Sequence, residues 1–294
     1  MENLSIQGLI LIQLWVFGLG LVIGSFLNVC IHRIPEGISI VWPASKCAYC
    51  SKRIVWYDNI PVLSYLFLRG KCRHCQRKIS AQYPIVEFLT GIVFLLLFRS
   101  VLMVSSGTTC VYVFFIVFCC LLIVGSFVDL RLHIIPNEIT YTGLILAPIA
   151  SILCVGLHDL SGSLRFFVDS GNQWIASLLA SLIGIFVSGG GLIFLCGVFG
   201  KLVFRKDAMG FGDVKLMGVI GGFLGWKLAV ATFFLAPFFG LLFGLPRLIF
   251  KKGNVIPYGP FLSLAAFVCL LFKDFSIKNI DHYLNIYLSI FQLL

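Results

Sequence analysis

Long apolar runs, broken by short polar or glycine-rich stretches, set the pattern of this chain. Runs near the length that spans a bilayer fall at about 8–30, 84–104, 110–129, 138–157, 173–199, 213–227, 228–249 and 258–272, predicting about eight transmembrane helices. The sixth is short and rich in glycine, which suits close packing in lipid, and its boundary with the seventh is the least marked. The one long polar stretch, residues 31–83, separates the first two runs. At the far end, Ile277, Ile280, Leu284, Tyr287 and Phe291 share one helical stripe, as in a helix lying in the membrane interface. The opening "MENLSIQG" carries Glu2 and no basic residue, so the first run reads as a retained helix and not a cleaved signal.

Composition agrees with this pattern. The chain has 294 residues, 60% hydrophobic and 12% charged, with a mean hydropathy of +1.03. Such values exclude a soluble domain and define an all-α polytopic membrane protein. Residues 31–83, 130–137, 200–215 and 247–257 hold 9, 1, 4 and 3 basic residues, 17 of the 22 in the chain. That asymmetry puts these loops in the cytoplasm and both termini outside. It also accounts for most of the +10 net charge without nucleic acid, which is not expected as a partner; a basic inner surface contacts anionic lipid instead. The expected organisation is a first helix (1–30), a cytoplasmic loop domain (31–83), a helical bundle (84–272) and an amphipathic end (273–294).

Eleven cysteines divide into two groups. Cys30, Cys110, Cys119, Cys120, Cys154, Cys196 and Cys269 lie within or beside apolar segments, where cysteine behaves as a small hydrophobe. Cys47, Cys50, Cys72 and Cys75 form "CAYC" and "CRHC", two C-x2-C knuckles separated by 21 residues. Two disulfides would suit the count, but a reducing cytoplasm disfavours them. The spacing fits one four-thiolate zinc site, structural because it leaves no coordination position open. Lys71, Arg73 and His74 are placed to lower the thiol pKa values. A loop this small needs the metal for much of its folding free energy.

Two acids stand at the ends of apolar runs: Asp129 in "LLIVGSFVDLRLHIIPN" and Asp213 in "AMGFGDVKLMG". Isolated acids at membrane depth are costly and mark function. The basic-residue pattern sets both on the cytoplasmic edge, where they can face each other. Two close carboxylates share a proton; one takes a proton from water while the other polarises a scissile carbonyl. Gly210 and Gly212 let the backbone bend and a substrate strand approach, and Lys215 completes the supporting segment. Singly, each acid has a plainer role: Asp213 as a helix N-cap, Asp129 as a partner of Arg131 or Arg33. Metalloprotease and serine-hydrolase motifs are missing, and Ser25 in "GSFLN" has no evident base.

Taken in order, "GSFLNVCIHRIPEG" (24–37), "CAYC", "YDNIPVLSYLFLRGKCRHC" (57–75), "ISAQYPIVEFLTG" (79–91), Asp129 with Pro136, "MGFGDVKLMG" (209–218) and "IPYGPFLSLA" (256–265) resemble the type IV prepilin peptidases, the leader peptidase/N-methyltransferase family of G-x-G-D intramembrane aspartic proteases. The resemblance covers nearly the whole length; Asn137 stands where the family often has aspartate. It implies a bifunctional enzyme of the bacterial inner membrane. Asp129 and Asp213 would cleave the leader of type IV prepilins or type II secretion pseudopilins on the cytoplasmic side. S-adenosylmethionine would then supply a methyl group to the new N-terminal amine, often of phenylalanine. Gly70, Lys71 and Glu87 are the methyl-transfer candidates, although no Rossmann fingerprint is present. The contrasting expectation is an ion-coupled transporter that relays charge through its intramembrane acids; a membrane-anchored zinc adaptor would leave "GFGD" without a purpose.

Overall fold

The computed structural model describes residues 6–104, 108–158, 172–204, 210–249 and 257–273, with Ile277 and Ile280. Most of the expected amphipathic stripe at 273–294 lies outside the described residues, as does Met209 of "MGFGD". In lipid a segment must satisfy its own backbone polar groups, and a helix does so within one run. The described elements are accordingly α1 (Ile6–Arg33), α2 (Leu63–Phe67), α3 (Gln82–Leu97), α4 (Thr109–Leu132), α5 (Asn137–Leu153), α6 (Gln173–Ile183), α7 (Gly190–Phe204), α8 (Phe211–Ile249) and α9 (Gly259–Leu271). π-Helical turns extend α3 over Phe98–Val104 and join α6 to α7 over Gly184–Gly189. Among the described residues extended pairing is limited to two isolated bridges, Lys46 with Arg53 and Lys71 with Lys78.

All eight expected segments are helical, with a difference in length. Among the described residues five helices are long and apolar enough to cross a membrane, whereas α5 and α9 have 17 and 13 residues. The uncertain boundary between the sixth and seventh segments falls at Gly225, where φ is 77° and ψ 173° inside α8. Glycine adopts that backbone without a Cβ penalty. Contacts show that the chain reverses there. Gly225 faces His158, beyond the end of α5, while Phe243 stacks on Phe261 in the first turn of α9 at 6.2 Å. Asp213 and Phe243 therefore lie toward one end of the bundle, and Gly225 toward the other.

The chain forms two compact units, Met1–Arg99 and Ser100–Leu294. In the first, α1 and α3 run antiparallel along a seam with four-residue spacing. A Cβ on Gly20 would lie 2.7 Å from the Gly91 backbone, and one on Gly24 would lie 2.7 Å from the Glu87 backbone. One turn further, the Asn28 side-chain amide donates to the Tyr83 carbonyl at 3.0 Å. Small residues at i and i+4 thus let two backbones approach, the usual device where lipid removes the hydrophobic drive for helix association.

In the second unit, α8 is the central element. Gly221 abuts Gly184, Gly189 abuts Met217, and Gly222 meets Ala147 and Ile185. Ser181 donates to the Gly222 carbonyl at 3.0 Å, and Phe118 stacks on Phe223 at 4.9 Å. One cysteine expectation is corrected: Cys110 and Cys154 form a disulfide across 44 residues. Each looked like a small hydrophobe because the pairing depends on α4 beginning where α5 ends. The bond lies at the end of α4 away from Asp129, about 28 Å along the helix at 1.5 Å per residue.

Adding side chains at these positions should separate packing from propensity. Gly184→Val drives a branched side chain into the Gly221 backbone and should destabilise the detergent-solubilised protein by about 1–3 kcal/mol or more. Gly18→Val, whose Cβ would meet nothing within 4 Å, should leave the thermal midpoint within about a degree or two of wild type. Scanning fluorimetry with an intrinsic or thiol-reactive dye compares them.

Candidate active site and metal centre

The first site is built where α4, α8 and α9 meet. Asp129 lies in the last turn of α4 and is 5% exposed. The helix is closed by His133 in the left-handed region, φ 58°, whose N–H donates to the Asp129 carbonyl at 2.9 Å. The Asp129 carboxylate accepts the N–H of Gly259, the first residue of α9, at 3.0 Å. A Cβ on Gly259 would lie 2.7 Å from that carboxylate oxygen. Only glycine permits the approach, which brings the positive end of a helix onto an acid.

Asp213 stands three residues after Gly210 in the first turn of α8. It is not the N-cap. Its carboxylate reaches back to accept the Gly210 N–H, the N3 half of a capping box, while its own N–H donates to the Gly210 carbonyl at 3.1 Å. The charge of Asp129 acts on Asp213 directly. Ile135 packs beneath both, with side-chain atoms 3.3 Å from Cβ positions on Gly212 and on Gly259. Lys215 points to α5, where its ammonium donates to Asn137 Oδ1 at 2.7 Å and to the Tyr141 hydroxyl at 3.2 Å. It also lies over the rings of Tyr141 and Phe211. Arg33, one suggested partner of Asp129, is held by the carbonyls of Ser39 and Pro43. Sequence reasoning assigned no role to Gly259. Its signal was available in "YGPF", where glycine directly precedes a proline that starts a helix.

The second site lies in the other unit. The sulfurs of Cys47, Cys50, Cys72 and Cys75 are all within 4.8 Å of one another, with Cys47 and Cys75 at 3.9 Å. Tetrahedral zinc at about 2.3 Å from each sulfur requires separations of about 3.8 Å, so the donor set fits. The two knuckles repeat one design. Cys47 N–H donates to the Lys52 carbonyl and Cys72 N–H to the Arg77 carbonyl, both at 2.9 Å, with Ser51 and Gln76 at φ 55° and 57°.

The thiol chemistry differs from expectation. Cys47 is drawn down to about 6, first by the backbone N–H of Cys50 against the opposing effect of burial, then by Tyr49 N–H and the neighbouring thiols. Two nearby arginines have other partners. Arg73 donates to both oxygens of Asp58 at 2.6 and 2.8 Å, and Arg77 covers the Tyr49 ring. The Arg73 hydrogen bond, with the charges of Arg73 and His74, holds Asp58 below the usual carboxylate range despite burial. That tie is present above the ordinary carboxylate pKa and is lost as pH falls through the lowered value.

The methyl-transfer candidates Gly70, Lys71 and Glu87 all lie in the first unit. Gly70 has φ +66°, and a Cβ there would lie 2.9 Å from the Tyr65 hydroxyl. Its glycine is required by the turn, and the ring fills the space in which a ligand would have approached. Lys71 is exposed. Glu87 is buried on α3 and accepts the Val62 N–H at 2.7 Å.

With two acids at one end of a polytopic helical bundle and a group of four cysteines in its other unit, the chain has the make-up of a membrane-embedded peptidase. Comparison with known proteins agrees with that class. Residues 18–101 match the bacterial peptidase A24 N-terminal domain and residues 116–245 the type IV leader peptidase family. The chain is 32% identical over 286 residues to a prepilin leader peptidase/N-methyltransferase of Aeromonas hydrophila, covering 88% of this chain and 90% of that relative. Proteins of the same name from Stutzerimonas stutzeri and Myxococcus xanthus are 31% and 36% identical, covering 87% and 81% of this chain. No solved structure matches. The chain belongs to the type IV leader peptidase family. Nothing found supports the transporter reading, and Asp129 and Asp213 lie at the same end of the bundle.

Purified protein should carry about one zinc per chain by elemental analysis. Cys47→Ser with Cys50→Ser should release it and open residues 31–83 to limited proteolysis; full metal content in that double variant would exclude the four-thiolate site.

Proposed function

We propose that this chain cleaves the leader of type IV prepilins or type II secretion pseudopilins with Asp129 and Asp213, and then N-methylates the new terminus. The observation that carries the peptidase half is the meeting of the two carboxylates beside Gly210, Gly212 and Gly259. The pair shares one proton. Its ionised member takes a proton from the attacking water, and its protonated member donates to the oxygen of the scissile carbonyl. Proton positions then exchange as the amine leaves, so the dyad returns to its starting charge. Gly259 N–H holds one Asp129 oxygen in place, and the Gly210 N–H does the same for Asp213. Lys215, anchored on Asn137 and Tyr141, fixes the first turns of α8 against α5.

The dyad opens to the cytoplasm in this reading, with both termini outside a bacterial inner membrane. The basic loops support it through the positive-inside rule. The Cys110–Cys154 disulfide lends independent support. It stands at the end of the bundle opposite the aspartates, where an oxidising compartment would preserve it, while the four clustered thiols suit a reducing one. Zinc would be structural, held by Cys47, Cys50, Cys72 and Cys75. S-adenosylmethionine would supply an electrophilic methyl group. At Gly70 the Tyr65 ring occupies the approach, so a donor held there would require that ring to move.

Asp129→Asn and Asp213→Asn should each lower prepilin cleavage by about 10²–10⁴-fold or more, because each removes half of a shared-proton pair. Asp213→Glu should also be poor, since a shift of about 1 Å can cost about 10²-fold. Processing near the wild-type rate by either asparagine variant would remove that aspartate from the mechanism.

The two activities should also separate. Asp213→Asn, supplied with a pilin already freed of its leader, should still methylate it, as read by mass spectrometry of the pilin N-terminus. Unmodified pilin beside a methylating wild type would show that the dyad serves both reactions.

A further inference from the structure

The seam between α1 and α3 contains a group that the peptidase chemistry does not use. Glu87 is 8% exposed. Its carboxylate accepts the Val62 N–H at 2.7 Å and the Ser25 hydroxyl. Both donors are neutral, and among the described residues no Lys, Arg or His forms an ion pair with it. A buried carboxylate offers about four acceptor positions, and an unpaired buried charge is costly. Next to it, the Asn28 side chain is 2% exposed and spends its amide on the carbonyls of Gly24 and Tyr83. Its Oδ1 is buried without a hydrogen-bond partner. Gly24 packs on the Glu87 backbone and Tyr83 precedes Glu87 by one helical turn. Two acceptors short of donors therefore sit about one turn apart on a single seam.

The lid over this seam is strained. Val62 has φ 60° and ψ −49°, and Leu63 N–H donates across it to the Pro61 carbonyl at 2.6 Å. That is a γ-turn of the rarer hand, occupied by a β-branched residue for which positive φ is an outlier. Strain of this kind persists where surrounding contacts hold it, and it gathers at ligand clamps. Here the holding contact is the hydrogen bond from Val62 to Glu87.

We infer that Glu87 and Asn28 form the seat for the terminal ammonium of the cleaved substrate, with the Val62 N–H as its stand-in when the seat is empty. This rests on the methyl-transfer half of the proposed function. A primary ammonium brings three donors and one positive charge, which is what a carboxylate and a carbonyl oxygen lacking donors require. It displaces the Val62 N–H, and release of the turn offsets part of the cost of opening. Glu87 then takes one proton from the ammonium, which leaves a nitrogen lone pair for methyl transfer. The adjoining core residue Val86 is fully buried, in keeping with an apolar first residue on the substrate.

The test uses the full chain in detergent micelles and a short apolar peptide beginning with phenylalanine, in free-amine and N-acetylated forms. Wild type should bind the free-amine peptide about tenfold or more tightly than the acetylated one. Glu87→Gln, with zinc content and thermal midpoint as checks of folding, should bind both forms alike. A general structural role would weaken both forms together and leave the ratio unchanged. Carbodiimide coupling of the free-amine peptide to wild type needs no variant, and should place the new amide on Glu87 by peptide mapping. Coupling only to other carboxylates, no preference for the free amine, or a preference that persists in Glu87→Gln would each overturn the inference. A wild type that fails to methylate pre-cleaved pilin would instead count against the methyltransferase reading, while the peptide preference and coupling site would still be read.

Discussion

The contact between the Gly259 N–H and the Asp129 carboxylate carries much of the active-site design. It satisfies a buried acid with a helix N-terminus, and that terminus can reach the acid only because position 259 lacks a Cβ. The bundle end is arranged around it. Ile135 fills the space beneath Gly259 and Gly212, which sets the first turn of α8 beside α4 and brings Asp213 within reach of the Asp129 charge. Lys215 then ties that turn to α5. A side chain at Gly259 would collide with the Asp129 carboxylate and push α9 off α4, dissolving the constellation with both aspartates still in the sequence.

The same device, backbones brought close by glycine, recurs with different consequences. Along α1 and α3 it leaves room for polar side chains within a helix seam, where Asn28 and Glu87 lie. At Gly184, Gly221 and Gly222 it packs a π-helical segment against α8. At Gly225 it supplies a backbone angle, so that the chain turns back on itself and a short helix can begin and end beside its neighbours. Glycine thereby provides packing, polarity and reversal in a chain whose side chains are otherwise mostly apolar.

The cysteine knuckles obey different physics. Residues 31–83 bury few large side chains: Trp42, Trp56 and Phe67 are largely exposed. Order comes from paired turns, in which one hydrogen-bond pattern is used twice, and from four sulfurs converging on one point. The backbone amides tune Cys47, while the nearby arginines are occupied with Asp58 and aromatic rings. A metal held by these four sulfurs would couple its binding to local folding, as expected for a loop too small for a core of its own.

Much of this was legible in the sequence, because the signals were local. Apolar runs report helices since lipid demands internally satisfied backbone, and C-x2-C spacing reports a metal site since sulfur geometry is set within four residues. Acids at the ends of apolar runs stood out for their energetic cost. Other features are invisible at that range. Cys110 and Cys154 read as hydrophobes until α4 and α5 brought them together. The packing of the Tyr65 ring against Gly70 has no local sequence signal. Gly259, Val62 and Asn28 have roles defined by residues 130, 25 and 55 positions away. Sequence by itself determined which segments are helical and which residues are candidates for chemistry. Which groups meet was decided by tertiary structure, because a hydrogen bond between distant helices depends on how closely their backbones can approach.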